Sequence, residues 1–466
     1  MLTPDFLVEC EGTGAVVNGE SVTDNSRDRR KAIGLKLVQA ALTAVEPAEA
    51  VRARVQRREG RLEVDGRGYD LDQYQHIYVV GGGKAAAPMA LALEAILGDR
   101  LTAGIVDVKY GYIGPVQRIR IEQAGHPIPD ERGMQATEQM LALLRQAGPD
   151  DLVISLLSGG GSALLVAPAT GIPLNDERRL TNALLRSGAT INEVNTVRKH
   201  LSRIKGGGLV REAAPATVIG LILSDVLGDP LDVIASGPTV PDTTTFADAW
   251  RVLDDYGLIE ELSPAIRQRL EEGMALRIPD TPKPGDPIFD RTQNVVIASN
   301  GLAVQAAVDQ AQRDGQNTLL LSTFIQGEAR VVAQVFASIG RELCRSNHPI
   351  PRPAAVVAGG ETTVTVKGHG RGGRNQEFAL AAAIYLDGLD NITIIAFATD
   401  GTDGPTDAAG AIVDGTTVSR ARAIGLDPNK ALADNDSYAF FQKLGDLIVT
   451  GPTNTNVDDL YVILAS

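Results

Sequence analysis

Residues 76–96 read HIYVVGGGKAAAPMALALEAI, and this stretch decides the fold of the first half of the chain. Residues 77–80 are β-branched or aromatic and predict a strand, while the alanines, leucines and methionine after Lys84 recur at helical spacing. The three glycines between them predict a tight turn. Glycine lets a ligand approach the backbone closely, and a helix begins with free N–H groups, so this turn suits an anion. Lys84 adds a positive charge there, although a plain glycine turn beside a solvated lysine would give the same pattern.

Length and composition limit the protein class. The chain has 466 residues, of which 44% are hydrophobic and only 4% aromatic, and it contains 49 glycines. These values predict two or three domains of the α/β type, with many strand-to-helix turns. The net charge of −14 argues against nucleic acid or an anionic membrane as a partner. Cys10 and Cys344 have no metal-binding spacing and no apolar run is long enough to span a membrane, so we expect a cytoplasmic protein.

The first part of the chain alternates strands and helices. Residues 1–24 lack periodicity and are interpreted as an extension. Residues 25–280 predict a Rossmann-like α/β domain, a parallel sheet with helices on both faces, whose first helix at residues 33–45 covers the sheet. A second glycine loop, SGGGS at residues 158–162, follows the apolar strand at residues 151–157. Two such loops at the carboxyl ends of parallel strands predict a ligand-binding crevice.

A basic segment follows the second loop. Residues 190–209 predict a helix that ends at three glycines and that brings Arg198, Ser202 and Lys205 to one face. A solvated basic stripe is the plain interpretation of this pattern. In so acidic a protein, a basic face beside two glycine loops could also guide an anion into the crevice.

The second part of the chain, residues 290–466, predicts a smaller C-terminal α/β domain. It includes separate strands at residues 354–357 and 359–366. A third glycine turn, residues 372–373, precedes Arg374 at the start of an alanine-rich helix. The chain therefore places a second cation on a turn of the same kind as that of Lys84.

Aspartates follow the ends of predicted strands in both halves of the chain. Asp225 and Asp229 lie in one such segment, and Asp400 and Asp403 lie on a glycine turn in another. Aspartates in these positions often only form turns. They could also bind a divalent cation or sugar-like hydroxyl groups.

These parts suit phosphoryl transfer, in which cations and Mg²⁺ position and neutralise the transferring group. No Walker pattern is present, because residues 81–84 lack its spacing and its Ser or Thr. An NAD(P)H-dependent enzyme is the main alternative: residues 81–86 fit G-x-G-x-x-A, and Asp107 lies near the distance expected for a ribose-binding acid. That short match explains neither the other glycine loops nor the aspartates. A non-catalytic sugar-acid-binding protein is a third alternative.

Longer motifs recur in order over most of residues 33–464: GGGKAAAPMA, LLSGGGSALL, NTVRKHLSRIKGGGL, LILSDVLGDPLDVIASGPT, GGETTVTVKGHGRGGRNQEFAL, FATDGTDGPTDAAGAIVD and GPTNTNVDDLYVIL. With these motifs the chain resembles the class II glycerate 2-kinase family, also called the MOFRL family, some of whose members are labelled hydroxypyruvate reductases. The resemblance implies two α/β domains, an active site in the interdomain cleft, and phosphorylation of glycerate with ATP and Mg²⁺. It also implies that Lys84 and Arg374 are the active-site cations.

We therefore predict a glycerate 2-kinase whose partners are glycerate and a nucleotide. The sequence leaves open whether the protein forms a homodimer. The predicted catalytic residues are Lys84, Arg374 and Asp225. The predicted metal ligands are Asp229, Asp400 and Asp403. The residues predicted to bind substrate or nucleotide are Gly82, Gly83, Ser158, Gly159, Gly160, Gly161, Ser162, Arg198, Lys205, Glu361, Asn375 and Thr402.

Overall fold

The structure is a computed structural model that describes residues 22–466, with side chains from residue 26. The predicted extension, residues 1–24, lies almost entirely outside the described residues. The α-helices are Val22–Ala44 (α1), Pro47–Arg54 (α2), Ala86–Leu97 (α3), Glu131–Leu144 (α4), Gly161–Leu164 (α5), Leu174–Arg186 (α6), Ile191–His200 (α7), Gly208–Ala213 (α8), Phe246–Asp255 (α9), Pro264–Met274 (α10), Asn300–Arg313 (α11), Ala329–Ser346 (α12), Arg374–Leu386 (α13), Thr417–Ala423 (α14), Pro428–Ala433 (α15) and Ser437–Leu444 (α16). Within residues 22–466, none of the helices combines the length and apolar character needed to cross a bilayer.

The strands fall into three sheets. They are Val55–Arg58 (β1), Arg61–Val64 (β2), Arg67–Asp70 (β3), His76–Gly82 (β4), Ala103–Lys109 (β5), Ile119–Ala124 (β6), Asp151–Leu157 (β7), Thr217–Leu223 (β8), Thr292–Ala298 (β9), Asn317–Glu328 (β10), Ala354–Thr363 (β11), Ile392–Ala398 (β12), Gly410–Asp414 (β13), Leu447–Ile448 (β14) and Asp459–Ala465 (β15). The chain divides into two compact units. The first unit is Pro47–Ile297, and the second unit is Ala298–Ser466 together with α1.

The sheet of the first unit confirms the Rossmann-like prediction. Its strand order is β6-β5-β4-β7-β8-β9, and the neighbouring pairs from β6 to β8 are parallel. The chain runs outward from β4 to β6 and then returns to place β7 on the other side of β4. Right-handed crossovers in these two directions put α3 and α4 on opposite faces of the sheet. The switch point lies between β4, which ends in the first glycine loop (residues 81–85), and β7, which ends in the second glycine loop (residues 158–162).

The sheet of the second unit has the order β10-β11-β15-β12-β13-β14, with β10 and β11 parallel and the remaining neighbours antiparallel. Side chains alternate between its two faces. Ile394 and Ile463 pack in one core with α12 and α13. Ile395 and Leu464 point to the other face, where a Cβ on Gly34 of α1 would lie 2.3 Å from the Cδ1 of Ile395. Helix α1 therefore lies directly on this sheet at a glycine.

The position of α1 corrects the predicted domain of residues 25–280. The helix was predicted to cover the first sheet, but it belongs to the second unit. The Nε of Arg27 lies 2.5 Å from the Oδ2 of Asp414, and the Nε of Arg30 donates to the Oγ1 of Thr393 at 3.2 Å. The apolar face of the helix fits either sheet. Its partners, which lie more than 350 residues away along the chain, are not visible in a local pattern.

Two predicted elements also differ from the structure. The predicted helix of residues 190–209 ends at His200. Beyond it the Oγ of Ser202 accepts the N–H groups of Ile204 and Lys205, which turns the chain, so Arg198, Ser202 and Lys205 do not form a helical stripe. The predicted strands of residues 354–357 and 359–366 are joined into one strand, β11, which ends at Thr363.

Candidate active site

The two glycine loops bind each other at the carboxyl ends of β4 and β7. The N–H of Lys84 donates to the carbonyl oxygen of Gly159 at 2.9 Å. The N–H of Ala85 donates to the Oγ of Ser158, a fully buried side chain, at 3.1 Å. These bonds fix the backbone on both sides of the Lys84 side chain, which is half-buried. The main chain of the first loop is therefore part of a rigid platform.

The glycines make this close approach possible. Gly81 has a φ of +135°, and a Cβ there would lie 2.0 Å from the carbonyl oxygen of Leu156. A Cβ on Gly83 would lie 2.1 Å from the Oγ of Ser158, and the N–H of Gly83 donates to the carbonyl oxygen of Asp107 at 3.0 Å. Free N–H groups were expected where the helix begins, but just before α3 the N–H groups of Gly83, Lys84 and Ala85 donate to acceptors inside the protein.

Side chains from three strand ends surround the second glycine loop. A Cβ on Gly160 would lie 3.4 Å from the Cγ of Lys84 and 2.9 Å from the Cδ2 of His126, which follows β6. A Cβ on Gly159 would lie 2.1 Å from the Oδ2 of Asp225, which follows β8. The structure thus brings Lys84 and Asp225 to one loop, and it adds His126.

His126 is uncharged in this setting. Burial, together with the positive charges of Lys84 and Lys109, lowers its pKa from 6.5 to about 4. At neutral pH the imidazole can therefore accept a proton or a hydrogen bond beside the Lys84 ammonium group.

Arg198 and Lys205, two of the predicted basic residues, donate hydrogen bonds to main-chain carbonyl groups in and just after the second glycine loop. The Nη2 of Arg198 donates to the carbonyl oxygen of Ser162 at 2.7 Å, and the Nζ of Lys205 donates to that of Leu165 at 2.8 Å. Burial, together with the positive charge of Arg198, lowers the pKa of Lys205 to about 8, while Glu177 opposes the shift. Because Lys205 is almost fully buried, its predicted role in binding a ligand is replaced by a role in holding the loop.

The other residues of the second glycine loop and Asp229 lie in the same unit. The Oγ of Ser162 lies 2.8 Å from the Oγ of Ser236. Gly161 is buried, and a Cβ there would lie 2.8 Å from the Cβ of Ala235. Asp229 is half-buried in the loop after β8, with a φ of +55°. Across residues 22–466, no three His, Cys, Asp or Glu side chains are grouped so that they could hold a metal ion.

A pocket of about 500 Å³ in the second unit contains several predicted residues. It is lined by Arg374, Glu377, Asp400, Thr402, Asp403 and Asn435, among others. The Oδ1 of Asp400 accepts two hydrogen bonds from Thr402, one from its N–H at 2.9 Å and one from its hydroxyl group at 3.2 Å. Asp400 is half-buried and Thr402 is exposed, and both residues line the pocket.

Arg374 is held by two carboxylates. Its Nε lies 2.7 Å from the Oδ2 of Asp459 and its Nη2 donates to the Oδ1 at 3.1 Å, while its Nη1 lies 2.6 Å from the Oε1 of Glu361. Burial alone would lower the pKa of Arg374, but the charges of Asp459 and Glu361 outweigh burial and raise it. Asp459 itself is fully buried. The guanidinium group is therefore fixed in position and permanently charged.

Asp403 anchors the start of α13. Its Oδ1 accepts the N–H of Asn375 at 3.1 Å and its Oδ2 accepts the N–H of Gln376 at 2.8 Å. Burial raises the pKa of Asp403 to about 7, although these N–H groups oppose the shift. The Nδ2 of Asn375, which is fully buried, donates to the Oδ1 of Asp459 at 2.8 Å. Asp403 and Asn375 thus help to position Arg374, which begins α13.

Asp107 does not fit the dinucleotide alternative. It lies inside β5 and is fully buried, and its Oδ2 accepts the hydroxyl of Thr137 at 2.9 Å. Burial raises the pKa of Asp107 well above its usual value, although the hydrogen bond from Thr137 lowers it. A ribose could not reach this carboxyl group. The acid that the fingerprint requires is therefore part of the core.

Two site residues, His126 and Asp459, are absent from the sequence-based prediction. His126 comes two residues after β6, so its position at a strand end was a usable signal. Asp459 stands at the start of the apolar strand β15, where an unexplained charge was a second signal. Both depend on a distant partner, Lys84 for His126 and Arg374 for Asp459.

We expect the His126 imidazole to stay neutral as the pH falls from 7 to 5 and to take up a proton only near pH 4, because burial and two lysines disfavour its charge. Histidine-selective ¹³C labelling with NMR titration measures this pKa, and a His126→Gln variant assigns the signal. In a Lys84→Met variant the pKa should rise toward 6.5. A midpoint near 6.5 in the wild-type protein would contradict the buried position beside Lys84.

Comparison with known proteins agrees with this architecture. Residues 34–271 match the family described as Domain of unknown function (DUF4147), and residues 354–459 match the MOFRL family. The glycerate 2-kinase of Pyrococcus horikoshii is 43% identical over 93% of this chain and 97% of that protein. A protein of Agrobacterium vitis named as a hydroxypyruvate reductase is 46% identical over 83% of this chain and 86% of that protein.

A solved structure is similar in fold. The crystal structure of glycerate kinase from Thermotoga maritima superposes with a TM-score of 0.85 at 41% identity, covering 94% of this chain and 100% of that one. The DUF4147 match spans most strands of the first unit's sheet, and the MOFRL match spans most strands of the second unit's sheet. The chain therefore belongs to the class II glycerate kinase family, which carries the MOFRL domain.

Proposed function

We propose that this protein transfers the γ-phosphoryl group of ATP to D-glycerate and releases 2-phosphoglycerate. The observation that carries the proposal is the half-buried Lys84 side chain, held at the switch point of a parallel sheet by two interlocked glycine loops. A fixed cation at this position stabilises the charge that develops on a transferring phosphoryl group. The names of the relatives supply the substrate class.

The proposed roles follow the charges of the two units. Lys84 neutralises the transferring group or the glycerate carboxylate, with a neutral His126 beside it as a hydrogen-bond acceptor. Arg374 supplies a second, immobile cation from the start of α13. Asp225 contacts Gly159, next to the Gly160 that contacts Lys84, and is the proposed acceptor of the substrate hydroxyl proton. That the two units share one active site stays a prediction.

We infer that the reaction uses Mg²⁺, which in proteins binds mainly to nucleotide phosphates and to one or two carboxylates. Asp400 fits this need, because its carboxylate lines the pocket and only its Oδ1 accepts hydrogen bonds from Thr402. Asp403 does not fit, because both its oxygens accept N–H groups of α13. When bound, the ion would neutralise negative charge on the phosphates. We therefore keep Asp400 as a proposed ligand and withdraw Asp403.

The purified protein with ATP, Mg²⁺ and D-glycerate should release ADP, and phosphorus NMR should identify 2-phosphoglycerate as the product. The same preparation with hydroxypyruvate and NADH or NADPH should show no oxidation of the cofactor above background, because Asp107 is buried in the sheet. Faster oxidation of cofactor than release of ADP would replace the kinase by a reductase. No turnover of either pair would favour a sugar-acid-binding protein.

Replacing Lys84 by Met should lower kcat by on the order of 10²–10³ and leave the melting temperature near that of the wild type. Arg374→Met should lose a comparable factor, but it should also lose about 3 kcal/mol of stability, because Asp459 is left charged and buried. The double variant Arg374→Met/Asp459→Asn removes both charges. It should regain stability without regaining activity, which separates the two effects. Arg371→Ala, on the same loop, is the control, and equal loss of activity in it would argue against a specific role for Arg374.

Asp400→Asn should raise the Mg²⁺ concentration for half-maximal activity several-fold and leave the unfolding midpoint unchanged. Asp403→Asn should do the reverse, because an amide can accept only one of the two N–H groups at the start of α13, which costs about 1–3 kcal/mol. Metal titrations of activity and urea unfolding measure both quantities. A shift in Mg²⁺ requirement for Asp403→Asn alone would reverse the assignment.

A further inference from the structure

A second pocket, of about 320 Å³, opens beside the second glycine loop within the first unit. Its apolar walls include Ile128 and Leu185, which are 61% and 55% exposed. Gly160 and Ser162 form the side of the pocket toward Lys84, since a Cβ on Gly160 would lie 3.4 Å from the Cγ of Lys84. The pocket therefore leads directly to the proposed site of phosphoryl transfer.

The polar side of this pocket contains buried side-chain atoms that have no hydrogen-bond partner among the described residues. Glu177 is only 6% exposed, and its Oε2 accepts no hydrogen bond in the described part of the chain. The Nε atoms of Arg178 and Arg198 are likewise buried without an acceptor among the described residues. A buried carboxylate oxygen of this kind costs free energy unless something binds it. The pocket is thus built for a ligand that has hydroxyl or N–H donors for Glu177 and negative charge or a ring face for the arginines.

We propose that this pocket binds the adenosine part of ATP, an inference that rests on the proposed kinase function. The flat base lies between the Ile128 and Leu185 side chains, and the Asn182 amide at the rim offers both a donor and an acceptor to the base edge. Glu177 accepts the ribose hydroxyls, as an acidic residue does in many nucleotide sites. The phosphates then pass Ser162 and Gly160 toward Lys84.

Glycerate fits this pocket less well. The volume lies in the range of about 300–1,000 Å³ that suits drug-sized ligands, which is more than a three-carbon acid needs. Glycerate also has no apolar face to cover Ile128 and Leu185. The base of a nucleotide would cover the apolar walls, and its ribose hydroxyl groups would donate to the Oε2 of Glu177.

The test compares two double variants of the full chain by isothermal titration with ADP in the absence of glycerate. Ile128→Ala/Leu185→Ala removes the pocket walls, and Ile113→Ala/Ile191→Ala removes two isoleucines of similar exposure, 68% and 55%, that do not line it. The pocket variant should raise the Kd for ADP about tenfold or more, the control variant should not, and inorganic tripolyphosphate should bind both like the wild type. Unchanged ADP affinity in the pocket variant would overturn the inference.

Glu177 provides an independent readout. The wild type should bind ADP more tightly than 2′-deoxy-ADP, and Glu177→Gln should abolish that difference, whereas a Glu177 with only a structural role would leave it unchanged. If the Ile128→Ala/Leu185→Ala variant had a raised KM for D-glycerate but bound ADP normally, the pocket would belong to the acid and the proposal would be overturned. Wild-type protein that binds no ADP would also overturn it. Binding of ADP through this pocket without any turnover of glycerate would refute only the kinase function.

Discussion

The hydrogen bond from the Lys84 N–H to the Gly159 carbonyl is possible only because two glycine loops approach to backbone contact at adjacent strand ends. A side chain at Gly81 would meet the Leu156 carbonyl at 2.0 Å, so the approach depends on glycine in a conformation that other residues rarely adopt. The order of the strands creates the need for this contact. The contact lies at the switch point, where the chain leaves β4 toward β5 and leaves β7 toward β8 in the opposite direction along the sheet.

This arrangement changes how the first loop serves an anion. A phosphate-binding loop usually presents its N–H groups to the ligand, but here three of them are bound inside the protein. The loop instead fixes the Cα of Lys84 and leaves its long side chain to reach the ligand. A lysine on a rigid base is a point charge with a limited range of positions, which is the property that electrostatic stabilisation of a transition state requires.

Local sequence patterns predicted the elements that depend on neighbouring residues and failed for those that depend on distant ones. The strand–glycine–helix order gave β4, β7, the third glycine turn at Arg374 and the Rossmann-like sheet, because turn chemistry and hydrophobic periodicity are local. The docking of α1 on the second sheet was missed, since its contacts with Asp414 and Thr393 join opposite ends of the chain. One failure was local: the helix predicted for residues 190–209 ends at His200, and the Ser202 hydroxyl then accepts nearby N–H groups, which hydrophobic periodicity does not reveal. Asp403 was predicted as a metal ligand from the aspartates on a glycine turn, whereas its hydrogen bonds to the start of α13 join segments that are distant in sequence.

The two candidate cations are held in opposite ways. Among the described residues, no carboxylate lies within salt-bridge distance of the Lys84 ammonium group, while Arg374 contacts both oxygens of the buried Asp459 and one of Glu361. A buried carboxylate beneath an arginine costs desolvation energy, which the pair recovers only through good geometry. What the protein gains is a guanidinium group whose orientation is set before any ligand arrives, with outward N–H groups still able to donate. Lys84 has no such ion pair among the described residues, so its long side chain is adjustable above a fixed backbone. Each cation therefore suits a different task within its own unit: Lys84 can reach charge that develops on a ligand, and Arg374 can receive only a ligand that fits its set orientation.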